Sequence, residues 1–306
     1  RQIDMEVLNL NANVRYDKIE TGRGMVMDAI HSEPENTGKT GLYTDRLHIA
    51  NSKCYRTNTN LTVEAGQLLW ITSFAPTIHK LITIENSHGA VSLQSSRNTF
   101  KRLIVKDCRG EGIWVGCNNT TIDFVELENC DITNFKTNPL FIPPFYKVNI
   151  KLLKFTNSTF VEADYYDVLD NTGWIDKVVI TGCNATNVQN ASYLFMAVKW
   201  REVEINNCDF TKHFYTIRHG NAITKIRVNN SSLGKSASEP AIGIRYSAVT
   251  ESTDCVINNS SVQHVRLAGT AKFVNCDIST LPRIGLPEGS GTQLGTCLLY
   301  TSLSGL

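Results

Sequence analysis

The chain has 306 residues, 42% of them hydrophobic and 19% charged, with a net charge of +1 at neutral pH. No basic stripe and no basic cluster interleaved with aromatics occurs, which argues against nucleic acid as a partner. No apolar run approaches membrane-spanning length, so no membrane insertion is expected, and no signal peptide is legible.

The first 46 residues hold "GMVMDAI", a short run with helix-like spacing, and then the turn-rich "HSEPENTGKTG". They read as an N-terminal cap, because the end of a repetitive stack exposes unpaired backbone groups that something must cover. Arg1 stands where a methionine would open a full-length chain, so a fragment or processed product is expected.

From residue 47 one phrase returns ten times, as in "VELENCDI", "VEINNCDF" and "AKFVNCDI". The copies align on Ser52, Ser87, Cys108, Cys130, Ser158, Cys183, Cys208, Ser231, Ser260 and Cys276. Five and three places before each of these anchors stand apolar residues, from Leu47 and Ile49 to Ala271 and Phe273. A period of two over so short a run is a strand with one buried face. The residue just before the anchor is Asn in most copies, Asp107 in one and Gly182 in another, the set that tolerates left-handed backbone. Each copy is therefore a strand, a corner and an inward small residue.

The spacing of the anchors is elastic: 35 residues separate Ser52 from Ser87, and 16 separate Ser260 from Cys276. Strands of a coil must stack in register while the loops between them grow freely. The absence of a strict hexapeptide count disfavours the left-handed form. The expectation is an all-β chain, a right-handed parallel β-helix of about ten rungs over 47–280. "LTVEAGQLLWITS" at 61–73 reads as an extra rung out of register, and the Pro- and Gly-rich stretch after Asp277 makes 281–306 an irregular C-terminal segment.

Five of the nine cysteines occupy anchors, where they alternate with serine. A packed ladder accepts either, whereas a disulfide needs both partners, so free stacked thiols are expected, with Cys108–Cys130 and Cys183–Cys208 the conceivable bridges. No Cys-x-x-Cys pair occurs and no metal or cofactor is expected. "GEGIWVG" at 110–116 fails as a dinucleotide fingerprint, since its third glycine falls late and a strand follows. Sequons such as Asn118 and Asn229 arise mostly from the Asn-Ser corner and carry little weight.

After each bend a second strand begins, and its outward positions should form columns on one face. Apolar alternation assigns Ser92, Trp114, Phe141, Asp167, Phe195, Thr216 with Arg218, Arg245 and Arg266 to that face. Glu162, Asp164, Asp167 and Asp170 crowd the loop "FVEADYYDVLDNTGW" beside them. Aromatic platforms suit sugar rings, guanidinium forks suit acidic sugars, and paired carboxylates hydrolyse glycosidic bonds. Asp167, Asp170, Glu162 and Asp164 are the candidate catalytic acids, with Asp167 and Asp170 spaced for inversion. Trp114, Phe141, Phe195, Arg218, His219, Arg245 and Arg266 are the candidate substrate contacts. An elimination mechanism would draw instead on Arg218, His219, Lys199 and Tyr215. The same residues also fit a solvated loop, and aromatics packed against a neighbouring rung or another subunit.

On phrases such as "LIVKDCRGEGIWV" and "VEINNCDF", residues 47–280 resemble the right-handed parallel β-helix superfamily that includes pectate lyases and bacteriophage tailspikes. The calcium-binding acids and arginine base of pectate lyases have no counterpart here, and tailspikes are the nearer likeness, with elastic rungs and buried thiols. That resemblance implies a homo-oligomer, a trimer by analogy, in a virion tail assembled in the host cytoplasm. Its partner would be a bacterial surface polysaccharide, bound and hydrolysed. The alternatives are a non-enzymatic adhesin or shaft at the bacterial surface or secreted, and a polysaccharide lyase. Tailspikes share no catalytic motif, so no catalytic residue carries over.

Overall fold

A computed structural model describes residues 2–8, 11–15, 23–28, 42–57, 63–65, 67–73, 77–95, 98–110, 113–115, 120–132, 135–136, 148–161, 166–167, 175–186, 193–196, 200–212, 215–220, 223–234, 241–244, 253–262, 265–267, 269–276 and 283–284. Nearly all of this is parallel strand, in coils that each run along a long-strand face, turn a corner, cross a short second face and return along a third. The chain is an all-β parallel solenoid, and its rung count matches the expected ten only loosely. It divides into two units, residues 1–152 with 170–173, and residues 153–169 with 174–306.

In the first unit the long-strand sheet runs through Gln2–Leu8, Leu42–Ala50, Thr77–Glu85, Asn98–Lys106 and Thr120–Glu128. Its third face holds Arg23–Asp28, Gln67–Ser73, Ala90–Ser95, Ile113–Val115 and Phe135–Lys136. In the second unit the long-strand sheet includes Ile175–Thr181, Trp200–Asn206, Lys225–Asn229, Thr253–Asn258 and Gly269–Val274. The third face there is Tyr166–Asp167, Tyr193–Met196, Tyr215–Gly220, Ile242–Ile244, Val265–Leu267 and Arg283–Ile284.

Two local expectations are corrected. "GMVMDAI" does not wind into a helix: Arg23–Asp28 is a strand, with Met25 opposite Leu69 in parallel register. A short apolar run does not by itself distinguish a strand from a helical stripe. Nor is 61–73 an out-of-register rung. Val63–Ala65 folds back antiparallel on Lys53–Thr57, and Gln67–Ser73 then joins the third face in parallel with Ala90–Ser95, with one irregularity between Gln67 and Leu69.

The corners follow the sequence closely. Asn51, Asn86, Asp107, Asn129, Asn157, Asn207, Asn230, Asn259 and Asn275 all have φ between 44° and 54°, and Gly182 has φ 65°. The left-handed conformation costs most residues about 1–2 kcal/mol and Asn less, because its amide can bond locally. Here the amides bond to the next coil: Asn86 Nδ2 donates to Asn51 Oδ1 at 2.7 Å, and Asn230 Nδ2 to Asn207 Oδ1 at 3.3 Å. Gly182 interrupts this row, and a Cβ there would lie 2.4 Å from Asn157 Oδ1.

The apolar pairs before each anchor form the core. Leu47, Ile82, Leu103, Val125, Leu153, Val178, Ile205, Ile226 and Ile257 are fully shielded from solvent. Behind them in the second unit sits an aromatic cluster, with the Phe160 ring centroid 5.3 Å from Phe155, 5.4 Å from Phe195 and 5.9 Å from Phe210.

The anchors explain why serine and cysteine interchange. Each donates to the carbonyl two residues before it: Ser87 Oγ to Glu85 O at 2.7 Å, Ser260 Oγ to Asn258 O at 2.7 Å, Cys208 Sγ to Asn206 O at 3.2 Å. Several also accept from an adjacent anchor's backbone: Cys208 N donates to Ser231 Oγ at 3.0 Å, Ser231 N to Ser260 Oγ at 3.1 Å, and Ser158 N to Cys183 Sγ at 3.4 Å. The position needs a small side chain that both donates and accepts. Cys108, Cys130, Cys183, Cys208, Cys255 and Cys276 carry free thiols, all but Cys276 buried. Their hydrogen bond to the adjacent thiol and then burial push the thiols of Cys108 and Cys183 up, and burial pushes that of Cys255 up to about 12. Ser231→Ala should therefore cost about 2 kcal/mol, because it strands the buried Cys208 N–H, whereas Ser231→Cys should cost much less. Urea unfolding of the two variants tests this.

Candidate functional site

Register, rather than sequence alternation, decides which residues of the third face share a row. In the second unit Tyr166 lies opposite Phe195, Phe195 opposite Ile217, Ile217 opposite Ile242 and Ile242 opposite Val265. Phe195, Ile217 and Ile242 are buried, so this is the core row. The alternate row sets Asp167 opposite Met196 and Met196 opposite Arg218, and further along sets Gly243 opposite Arg266 and Arg266 opposite Arg283. An irregularity between Ile217 and Gly220 separates the two stretches.

Phe195, expected outward as a substrate contact, is instead core: it is 2% exposed and its ring packs edge-on against Trp200, with centroids 5.0 Å apart. In "YLFMA" every residue is apolar, so a period of two has no phase, and hydrogen-bond pairing with Tyr215–Gly220 sets it one place over from the sequence reading. Thr216, also expected outward, is fully buried, and its Oγ1 has no hydrogen-bond partner among the described residues.

Asp167, Arg218, His219 and Arg266 lie on strands of the second unit's third face. Trp114 lies on the first unit's third face, opposite Ser92 on one side and Lys136 on the other. Glu162, Asp164, Asp170, Phe141, Arg245, Lys199 and the longer loops fall outside the described residues. The rows that emerge are Asp167–Met196–Arg218 and Arg266–Arg283, each step about 4.8 Å. Two residues of these faces were missed by sequence reasoning. Trp70 is opposite Ser92 and so shares a row with Trp114, but it sits in the segment read as out of register. Arg283 sits in the Pro-rich tail, where no alternation marks a strand.

The outward side of the long-strand sheet offers the contrasting case, a face that neutralises itself. In the second unit a shallow depression of about 210 Å³ is lined by Lys177, Glu202, Glu204, Lys225, Arg227 and Asn229. Lys177 Nζ lies 3.1 Å from Glu204, Lys225 Nζ 3.7 Å from Glu202, and Arg227 Nη2 2.5 Å from Asp254. The Asn206 amide and then the Lys177 ammonium hold the Glu204 carboxyl below the usual range. Exposed pairs of this kind contribute little to stability and leave little charge for a ligand.

Residues 66–233, more than half of the chain, match the family described as the right-handed β-helix region. The chain belongs to that family. No curated protein and no solved structure matches it. Membership accords with the parallel solenoid and its corners, and leaves the activity of this β-helix to be argued from its own residues.

Proposed function

We propose that this β-helix binds a bacterial surface polysaccharide along its third face and hydrolyses it, in the manner of a phage tailspike. The row Asp167–Met196–Arg218 carries the proposal. It sets a carboxylate-bearing and a guanidinium-bearing residue two coils apart, about 9.6 Å, in the row that alternates with the core. Arg266 and Arg283 add two cationic residues in adjacent register, and like charges on directly opposite residues destabilise a strand pair. Asp167 would serve as one carboxylate of the hydrolytic pair, with its partner drawn from Glu162, Asp164 or Asp170, and Arg218, His219, Arg245 and Arg266 would hold acidic sugars. Assembly as a homotrimer in a virion tail, built in the reducing host cytoplasm, belongs to this proposal, as does the alternative of a cell-surface or secreted protein.

A non-enzymatic shaft is the second reading, favoured by the burial of Phe195, which removes one of the aromatic platforms. The two are separated by Asp167→Asn and Arg218→Ala. The first is expected to abolish cleavage while binding and folding persist, the second to weaken binding to acidic glycans, most visibly at low salt. Unchanged cleavage and binding in both variants would remove the site.

A further inference from the structure

The long-strand sheet of the first unit differs from that of the second in one row. Six places before the anchors, Arg46 lies opposite Leu81, Leu81 opposite Arg102 and Arg102 opposite Phe124. The equivalent row of the second unit, Lys177, Glu202, Lys225 and Asp254, alternates in sign. In the first unit Arg46 lies opposite Asp4 on its other side, and from Arg46 through Leu81 and Arg102 to Phe124 no acid stands in the row.

The lysines described on this sheet of the first unit are already paired. Lys80 Nζ lies 2.8 Å from Asp45, Lys106 Nζ 2.7 Å from Glu128, and Lys101 and Lys151 share Asp123 at 2.9 and 2.8 Å. The Lys151 and then the Lys101 ammonium hold the Asp123 carboxyl below its usual range, so that acid is taken. Arg46 and Arg102 are both exposed. Arg46 Nη2 lies 3.3 Å from His48 Nδ1, and the Arg102 guanidinium lies over the Phe124 ring, 5.1 Å from its centroid. Neither is ion-paired with a carboxylate among the described residues. Between and beside them, Leu81 and Phe124 are half-buried, leaving apolar surface in solvent.

A ligand for this row needs anionic groups two coils apart, about 9.6 Å, with apolar surface between them. Planar guanidiniums take carboxylates in fork geometry. The apolar face of a sugar ring suits Leu81, and an extended disaccharide has a comparable length. A nucleic-acid strand, with a phosphate about every 3.4 Å, would press charge onto Leu81 instead. We propose that Arg46, Leu81, Arg102 and Phe124 form a binding site for an acidic polysaccharide bearing one carboxylate on every second sugar. This site is separate from the third face and does not depend on that face being a glycan groove.

The test is calorimetric titration of the full chain with oligosaccharides of alternating glucuronate and N-acetylglucosamine, beside their carboxyl-reduced forms. The acidic oligosaccharide should bind, and the reduced form at least about tenfold more weakly, the loss expected for a charge-assisted hydrogen bond. Arg46→Gln and Arg102→Gln should each weaken binding about tenfold with unchanged melting temperature, and Arg102→Lys should weaken it less. Lys177→Gln and Lys225→Gln, in the charge-alternating row of the second unit, where both lysines are paired with glutamates, should leave it unchanged. Absence of binding, equal binding of the reduced form, or full binding by the double Arg46→Gln/Arg102→Gln variant would overturn the site. Loss in the Arg218→Ala variant alone would overturn it too, while supporting a glycan site on the third face.

Discussion

Lowering the pH from about 6.5 to 4 is expected to remove about 3 kcal/mol of stability through a single buried imidazole. His79 is fully buried, stacked on Phe100 with ring centroids 4.7 Å apart and planes 12° from parallel. Burial lowers its pKa from 6.5 to about 4. Above pH 6.5 the ring is neutral in both folded and unfolded chains and costs nothing. Between 6.5 and 4 the unfolded chain binds the proton and the folded one does not, so stability falls as pH falls and levels off below about 4. Urea unfolding at pH 7 and pH 4.5 should show a drop that His79→Leu, which keeps an apolar side chain in the stack, largely removes. An identical drop in the variant would mean that the surface carboxylates, not His79, set the acid limit.

Phe160→Ala is expected to cost 3–5 kcal/mol, the range for deleting a buried aromatic. Phe160 is 1% exposed and touches three other phenylalanine rings, so the cavity would be walled by side chains already fixed by their strands. Phe160→Leu keeps most of the volume and should cost roughly 1–1.5 kcal/mol. Equilibrium unfolding of both variants gives the comparison, and equal losses would show that the cluster does not pack as a unit. The same cluster includes Phe195, so its integrity also decides whether that residue can leave the core to meet a ligand.

What the sequence made legible was the part of each coil governed by local chemistry. A positive φ at a tight corner restricts the residue to Asn, Asp or Gly, and the alternation of Leu103 and Val105 before Cys108 has one reading only. The third face was legible only in outline. Its strands are short and apolar on both sides, as in Leu194–Phe195 and Ala241–Ile242, where both residues are buried, so alternation gives no phase and only pairing across coils fixes it. The row Arg46–Leu81–Arg102–Phe124 was hidden for another reason. Its residues are 35, 21 and 22 apart in the chain, and their outward positions were passed over in favour of the inward ones that define the repeat.

The most direct test of the functional account is to present the native protein with a panel of bacterial capsular and O-antigen polysaccharides and to size the products. The account predicts that at least one acidic polysaccharide is retained and shortened to discrete oligosaccharides, and that Asp167→Asn retains it at full length. Retention of none of them by the folded native protein would contradict the account and leave the β-helix as a structural shaft.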